Sequence, residues 1–237
     1  MTLDAIIEAI GVEPYHREKA GVIYLADCMD ILPKIPAGSI DLVLTDPPYS
    51  TPVITSFGRE TAAKNHGDTS IQQYYLKALE KELSACIKTS VIIHCDDGYA
   101  GLIYAAFYHW HQCQYLVWDK GKIGMGSPFR RQHELMIFAA KIANIQFVDA
   151  KTRSTILHHP VVPSEDRFHG AQKPASLESD FITGLCSLDD IILDPFLGSG
   201  TTAVAAKQLG RQFIGIEIEE KYCDTAVKRL AQEELAL

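Results

Sequence analysis

The run Ile191-Ile-Leu-Asp-Pro-Phe-Leu-Gly-Ser-Gly-Thr-Thr202 passes from an apolar segment through a glycine-rich turn into a helical pattern that continues to Leu209. Ile191 to Leu193 lack polar alternation, as a strand buried on both faces requires. Gly198 and Gly200 let the backbone bend sharply and come close to a ligand, and the following helix presents unpaired amides at its first turn. A turn of this kind at the carboxyl end of a parallel strand is where open α/β sheets hold nucleotide-like ligands.

The same grammar extends outward. Downstream, Phe213 to Glu217 reads as the next buried strand and Glu219 to Glu234 as a closing helix. Upstream, the apolar runs Gly21 to Asp27, Ser39 to Asp46 and Val91 to Cys95 read as strands. Helical spacing covers residues 3–10, 71–88, 101–111 and 174–185. Tyr115 to Trp118 and Glu134 to Ala140 are further strands, Asn144 to Val148 is a candidate hairpin strand, and Lys151 to Gly170 is irregular. No repeat or linker interrupts the alternation, which predicts one doubly wound α/β domain over residues 1–237.

A second constellation lies in Leu42-Val-Leu-Thr-Asp-Pro-Pro-Tyr49. Consecutive prolines fix the backbone dihedral near −65° and donate nothing to a sheet. Asp46, the Pro47 carbonyl, Pro48 and the Tyr49 ring are therefore held stiffly at a strand's end. Two acceptors beside an aromatic face suit a flat ring that bears an exocyclic amine.

The net charge of −8 argues against a protein that coats nucleic acid over its whole surface. Between Tyr115 and Ala175, however, nine Lys/Arg face five Asp/Glu, a local excess of +4 where a polyanion can dock. The six cysteines include no Cys-x-x-Cys pair, so neither a metal site nor a redox dithiol is indicated. No apolar run approaches membrane-span length and the N-terminus lacks the pattern of a signal peptide, so a cytoplasmic protein without a membrane partner is expected.

Asp194 stands before the glycines, where a carboxylate would repel a diphosphate and suits a cationic amino group instead. S-adenosylmethionine meets this requirement: Asp194 for its ammonium, Glu217 for the ribose and Asp27 for the adenine amino group. A Walker-type loop is disfavoured because no Gly-Lys-Ser/Thr follows.

With Asp46-Pro-Pro-Tyr49 and Asp194-Pro-Phe-Leu-Gly-Ser-Gly200 together, the chain resembles the DNA amino-methyltransferases, the N6-adenine and N4-cytosine enzymes. Tyr24-Leu-Ala-Asp-Cys28, Trp118-Asp-Lys120, Arg130-Arg-Gln-His-Glu134, Gln172-Lys-Pro174 and Arg211-Gln-Phe-Ile-Gly-Ile-Glu217 add to the likeness, whereas Ala26 replaces a usual glycine. The catalytic tetrapeptide precedes the cofactor motif, as in the circularly permuted beta group. The resemblance implies a methyltransferase fold with a mixed seven-stranded sheet and an antiparallel hairpin strand. It implies a cofactor site of Asp27, Cys28, Lys173, Asp194, Phe196, Gly198, Gly200, Thr201 and Glu217, and catalysis by Asp46, Pro47, Pro48 and Tyr49. Double-stranded DNA is the implied partner, met by Lys122, Arg130 and Arg131 and by short recognition segments at 50–70 and 144–169, with a homodimer as one way to share the duplex. Asp at the head of the tetrapeptide favours N6-adenine over N4-cytosine. RNA or protein-amide methylation is opposed by the permuted order, and a degenerate DNA-binding module by the intact acids at 27, 46, 194 and 217.

Overall fold

The structure, a computed structural model, describes residues 1–48, 69–124, 128–163, 165 and 172–234. In chain order the elements are α1 (Leu3–Ile10), β1 (His16–Arg17), β2 (Gly21–Leu25), α2 (Cys28–Ile31), β3 (Ile40–Thr45), α3 (Thr69–Cys86), β4 (Ile87–Cys95) and α4 (Asp97–Phe107). They continue with β5 (Gln112–Asp119), β6 (His133–Ala140), β7 (Ile156–His158), α5 (Ala175–Leu185), β8 (Ile191–Asp194), α6 (Thr201–Gln208), β9 (Gln212–Glu217) and α7 (Glu220–Glu234).

Among the described residues, nine strands share one sheet in the order β1-β2-β9-β8-β3-β4-β6-β5-β7. The central strands β2, β9, β8, β3 and β4 are parallel, and β6 runs antiparallel to both β4 and β5. These strands are apolar on both faces because both faces are covered. Along β3, Val43 points into a layer shared with α1 to α4, and Leu42 and Leu44 into a layer shared with α5 to α7.

The expected seven strands form the frame of this sheet, and nine is the corrected count. β1 adds two residues antiparallel to β2, and β7 adds three parallel to β5. Runs this short carry too little periodicity to be read from sequence. The candidate strand Asn144 to Val148 is not one. The Val148 amide donates to Gly184 O (2.8 Å), the Gln112 side chain donates to Ala143 O (2.5 Å), and β7 lies along the outer edge of β5 instead. α3 ends before Ile87, because Ile87 and Lys88 already belong to β4. No described helix is long and apolar enough to cross a membrane.

Candidate active site

The connections from β8 and β3 depart in opposite directions, β8 toward β9 and β3 toward β4, so a crevice opens between their carboxyl ends. Asp194 ends one strand and Asp46 follows the other. The Thr45 hydroxyl donates to Asp194 Oδ1 at 2.7 Å and ties the two ends together. A cavity at this point brings together Asp46, Lys173, Asp194, Phe196, Gly198 and Thr201 from among the sequence-derived site residues.

On the β8 side, Asp194 is buried and also accepts from the Phe196 amide (3.1 Å) and the Thr202 hydroxyl. Burial pushes its carboxyl up to about 7, and these hydrogen bonds oppose the shift without cancelling it. Gly198, at φ +54°, donates its amide to Glu217 Oε2 (2.8 Å), while the Glu219 amide donates to Oε1 (2.8 Å). A Cβ on Gly198 would meet only Phe196 O, at 4.0 Å, which leaves its outer face open to a ligand.

Gly200 has a different reason to be glycine. At φ +83°, a Cβ there would lie 2.7 Å from the Ala226 Cβ of α7, so its smallness serves helix packing. Arg229, also from α7, reaches beneath the turn and donates to Ser199 O (2.6 Å) and Thr201 Oγ1 (3.2 Å).

Glu217 ends β9, the next strand along, and Asp27 follows β2 beyond it. The Ala26 amide donates to Glu217 O (3.0 Å), which sets the two strand ends side by side, and Asp27 caps α2 by accepting from Met29 N (2.9 Å). Cys28 is buried with its Sγ 3.7 Å from Tyr75 Oη, and burial pushes its thiol up to about 12. Of the sequence-derived cofactor-site residues, Asp27, Cys28, Gly200 and Glu217 do not line the cavity at Asp46 and Asp194.

The chemistry of these donors fits S-adenosylmethionine. Three carboxylates stand at adjacent strand ends beside an open glycine face, and each has lone pairs left for an ammonium, hydroxyls or a ring amine.

On the β3 side, Pro47 is buried and Pro48 exposed beyond Asp46. Lys173, buried just ahead of α5, bonds Asp46 Oδ2 and lies 3.5 Å from Glu134 on β6. Glu134 also pairs with Lys120, whose ammonium sits 5.1 Å over the Trp118 ring. Trp118 itself is core, donating to His159 O at 2.7 Å. Tyr49 lies outside the described residues, as do 50–68, 164 and 166–169 of the expected recognition segments.

Sequence reading passed over His94 and Glu178, which form a buried pair at 3.0 Å in the cavity wall. Burial lowers the His94 pKa and the Glu178 carboxylate raises it, with the net shift upward. The available signals were a histidine inside the strand run Val91-Ile-Ile-His-Cys95 and an acid on the apolar face Leu177, Phe181, Ile182 of α5.

The basic residues Lys122, Arg130 and Arg131 are exposed between β5 and β6, at the same end of the strands as Asp46. Arg131 pairs with Asp97 at 2.8 Å, and Arg130 Nε donates to Gly124 O at 2.8 Å.

Comparison with known proteins gives concordant matches. The family described as DNA methylase, of the N6 and N4 type, matches residues 40–228. The type II methyltransferase M.HinfI of Haemophilus influenzae is 28% identical over 89% of this chain and 68% of its own. The type II methyltransferase M2.LlaDCHI of Lactococcus lactis subsp. cremoris is 27% identical over 92% of each. Two solved structures share the fold. The M1.HpyAVI complex with SAM has a TM-score of 0.66 at 24% identity, covering 88% of this chain and 98% of that one. The cytosine-N4-specific PvuII DNA methyltransferase has a TM-score of 0.74 at 18% identity, covering 92% and 89%.

Proposed function

Because the chain belongs to the DNA methylase family of N6-adenine and N4-cytosine amino-methyltransferases, we propose that it transfers the methyl group of S-adenosylmethionine to the N6 amine of adenine in double-stranded DNA. The observation that carries this reading is the single cavity that joins Asp46 to the Asp194 turn. Asp46, read here as the amine acceptor, and the Asp194 turn, read here as the cofactor edge, line the same cavity, which supports the reading.

The exocyclic amine is a weak nucleophile because its lone pair is delocalised into the ring. Asp46 and the Pro47 carbonyl accept its two N–H bonds, which draws the nitrogen toward a nucleophilic geometry and stabilises the positive charge that grows during attack. S-adenosylmethionine supplies the electrophilic methyl group when bound. Asp194 holds its ammonium, Glu217 its ribose and Asp27 its adenine amine, so that binding energy is spent on alignment. The target amine would exchange one N–H for the methyl, with a neutral thioether as the leaving group and the displaced proton passing to water. Tyr49 stacks on the target base, which must first leave the duplex to reach the crevice.

Asp at position 46 supports adenine as the target, since cytosine enzymes resembling this group more often begin the tetrapeptide with Ser. N4-cytosine is the second reading, supported by the fold shared with the PvuII enzyme. Lys122, Arg130 and Arg131 contact phosphates, and residues 50–70 and 144–169 contribute recognition within one methyltransferase domain. A short or relaxed site, or a dimer sharing the duplex, accommodates segments of this size. A cytoplasmic restriction-modification setting agrees with the type II relatives.

The test is incubation with isotope-labelled cofactor and separate DNA, RNA and protein substrates, followed by nucleoside mass analysis. Labelled N6-methyladenine in DNA is expected. Labelled N4-methylcytosine would replace the target base, and label confined to RNA or protein would overturn the reading.

A further inference from the structure

A chain of alternating charges runs Asp46–Lys173–Glu134–Lys120, away from the catalytic corner, and methyl transfer as derived above uses only its first member. Lys173 stands directly before α5, yet its ammonium is carried to carboxylates on two other elements, Asp46 beyond β3 and Glu134 on β6. Burial works against the charge on Lys173. Asp46 and Glu134 outweigh it, and the net shift of its pKa is upward, so the ammonium persists. Glu134 is gripped in turn by Lys120, which rests on the buried Trp118 ring.

The prolines restrict the backbone at Asp46 but do not by themselves set the direction of its side chain. An acceptor that must meet a specific N–H direction needs its side chain fixed as well, and an ion pair with a buried ammonium does this. We infer that Lys173 is a positioning residue that aims the Asp46 carboxylate at the target amine, and that Glu134 holds Lys173 in register. The inference rests on the reading of Asp46 as the amine acceptor. It moves Lys173 from the cofactor to the catalytic corner and gives the motif residue Glu134 a role.

The experiment compares Lys173→Met, Lys173→Arg, Glu134→Gln and the Lys173→Met/Glu134→Gln double variant. Single-turnover methylation of DNA at saturating cofactor is measured for each, with cofactor affinity by calorimetry. Lys173→Met slows transfer by about tenfold or more and Lys173→Arg recovers part of the loss, while cofactor affinity stays within about twofold. Glu134→Gln slows transfer by a smaller factor. Because Glu134 acts through Lys173, the double variant is no slower than Lys173→Met alone.

Factors that multiply in the double variant would overturn the inference. So would a Lys173→Met enzyme that keeps its rate at saturation and loses cofactor affinity, which would return Lys173 to the cofactor. If Lys173→Met does not fold, the partly exposed Glu134→Gln and the charge-preserving Lys173→Arg carry the test: transfer must slow in Glu134→Gln with cofactor affinity unchanged. If the wild-type protein methylates no DNA, the failure lies with the proposed function, and calorimetry still reports whether Lys173 belongs to the cofactor.

Discussion

The two halves of the crevice use carboxylates in opposite ways. On the β3 and β4 side the acids are matched with cations: Asp46 with Lys173, Glu134 with Lys173 and Lys120, Glu178 with His94. On the β8, β9 and β2 side they are held by neutral donors. Asp194 takes hydroxyls and an amide, Glu217 two amides, and Asp27 the amide of its own helix cap. An acid compensated by a nearby cation is fixed in direction and suits a neutral amine. An acid held only by amides and hydroxyls has no cation beside it, and a ligand that brings positive charge with it supplies the missing partner. On the proposed reading, the division of labour between substrate and cofactor follows what holds each carboxylate.

The contrast breaks first at Asp46. Asp46→Asn keeps the shape but replaces the anionic acceptor, and removing one such transition-state contact costs about 10²- to 10³-fold in rate. Rapid-quench methylation at saturating cofactor measures it.

Next comes Asp194→Asn, which is expected to weaken cofactor binding by about tenfold or more through loss of a charge-assisted contact, with less effect on transfer at saturation. The wild-type protein tests the same point by pH. Its carboxyl is pushed up to about 7 by burial, and the cofactor's ammonium binds the ionised form. Affinity then rises between about pH 6 and about pH 8, and calorimetry in buffers of different ionisation enthalpy records proton release on binding. For the free protein, the folded state holds this proton more tightly than the unfolded chain. The resulting stabilisation is full below about pH 4 and is lost as pH rises through about 7.

The smaller effects separate the two glycines. Gly200→Ala drives a Cβ against Ala226 at a positive φ and lowers thermal stability by about 1–3 kcal/mol. Gly198→Ala shares the positive-φ strain but meets no close neighbour, so it is expected to lower stability less than Gly200→Ala and to weaken cofactor binding.

The half proposed to hold the cofactor was the more legible in sequence, because each acid ends or closely follows an uninterrupted apolar strand and adjacency follows from the sheet. Asp194, Glu217 and Asp27 could be placed from local runs alone. The catalytic half depends on contacts between distant positions. Lys173 and Asp46 are 127 residues apart, each named from sequence but not as a pair, and His94 and Glu178 are 84 apart, both concealed in patterns that read as core. At the sheet's margins the limit was length for β1 and β7. For Asn144 to Val148 the limit was an alternation without a partner edge, since pairing and not pattern completes a strand.

The measurement that bears most directly on this division is the dissociation constant of S-adenosylmethionine for Asp46→Asn and Asp194→Asn, taken side by side above pH 7. The charge arrangement predicts that Asp46→Asn binds within about twofold of the wild-type protein and Asp194→Asn at least about tenfold more weakly. Equal losses, or a loss confined to Asp46→Asn, would contradict it.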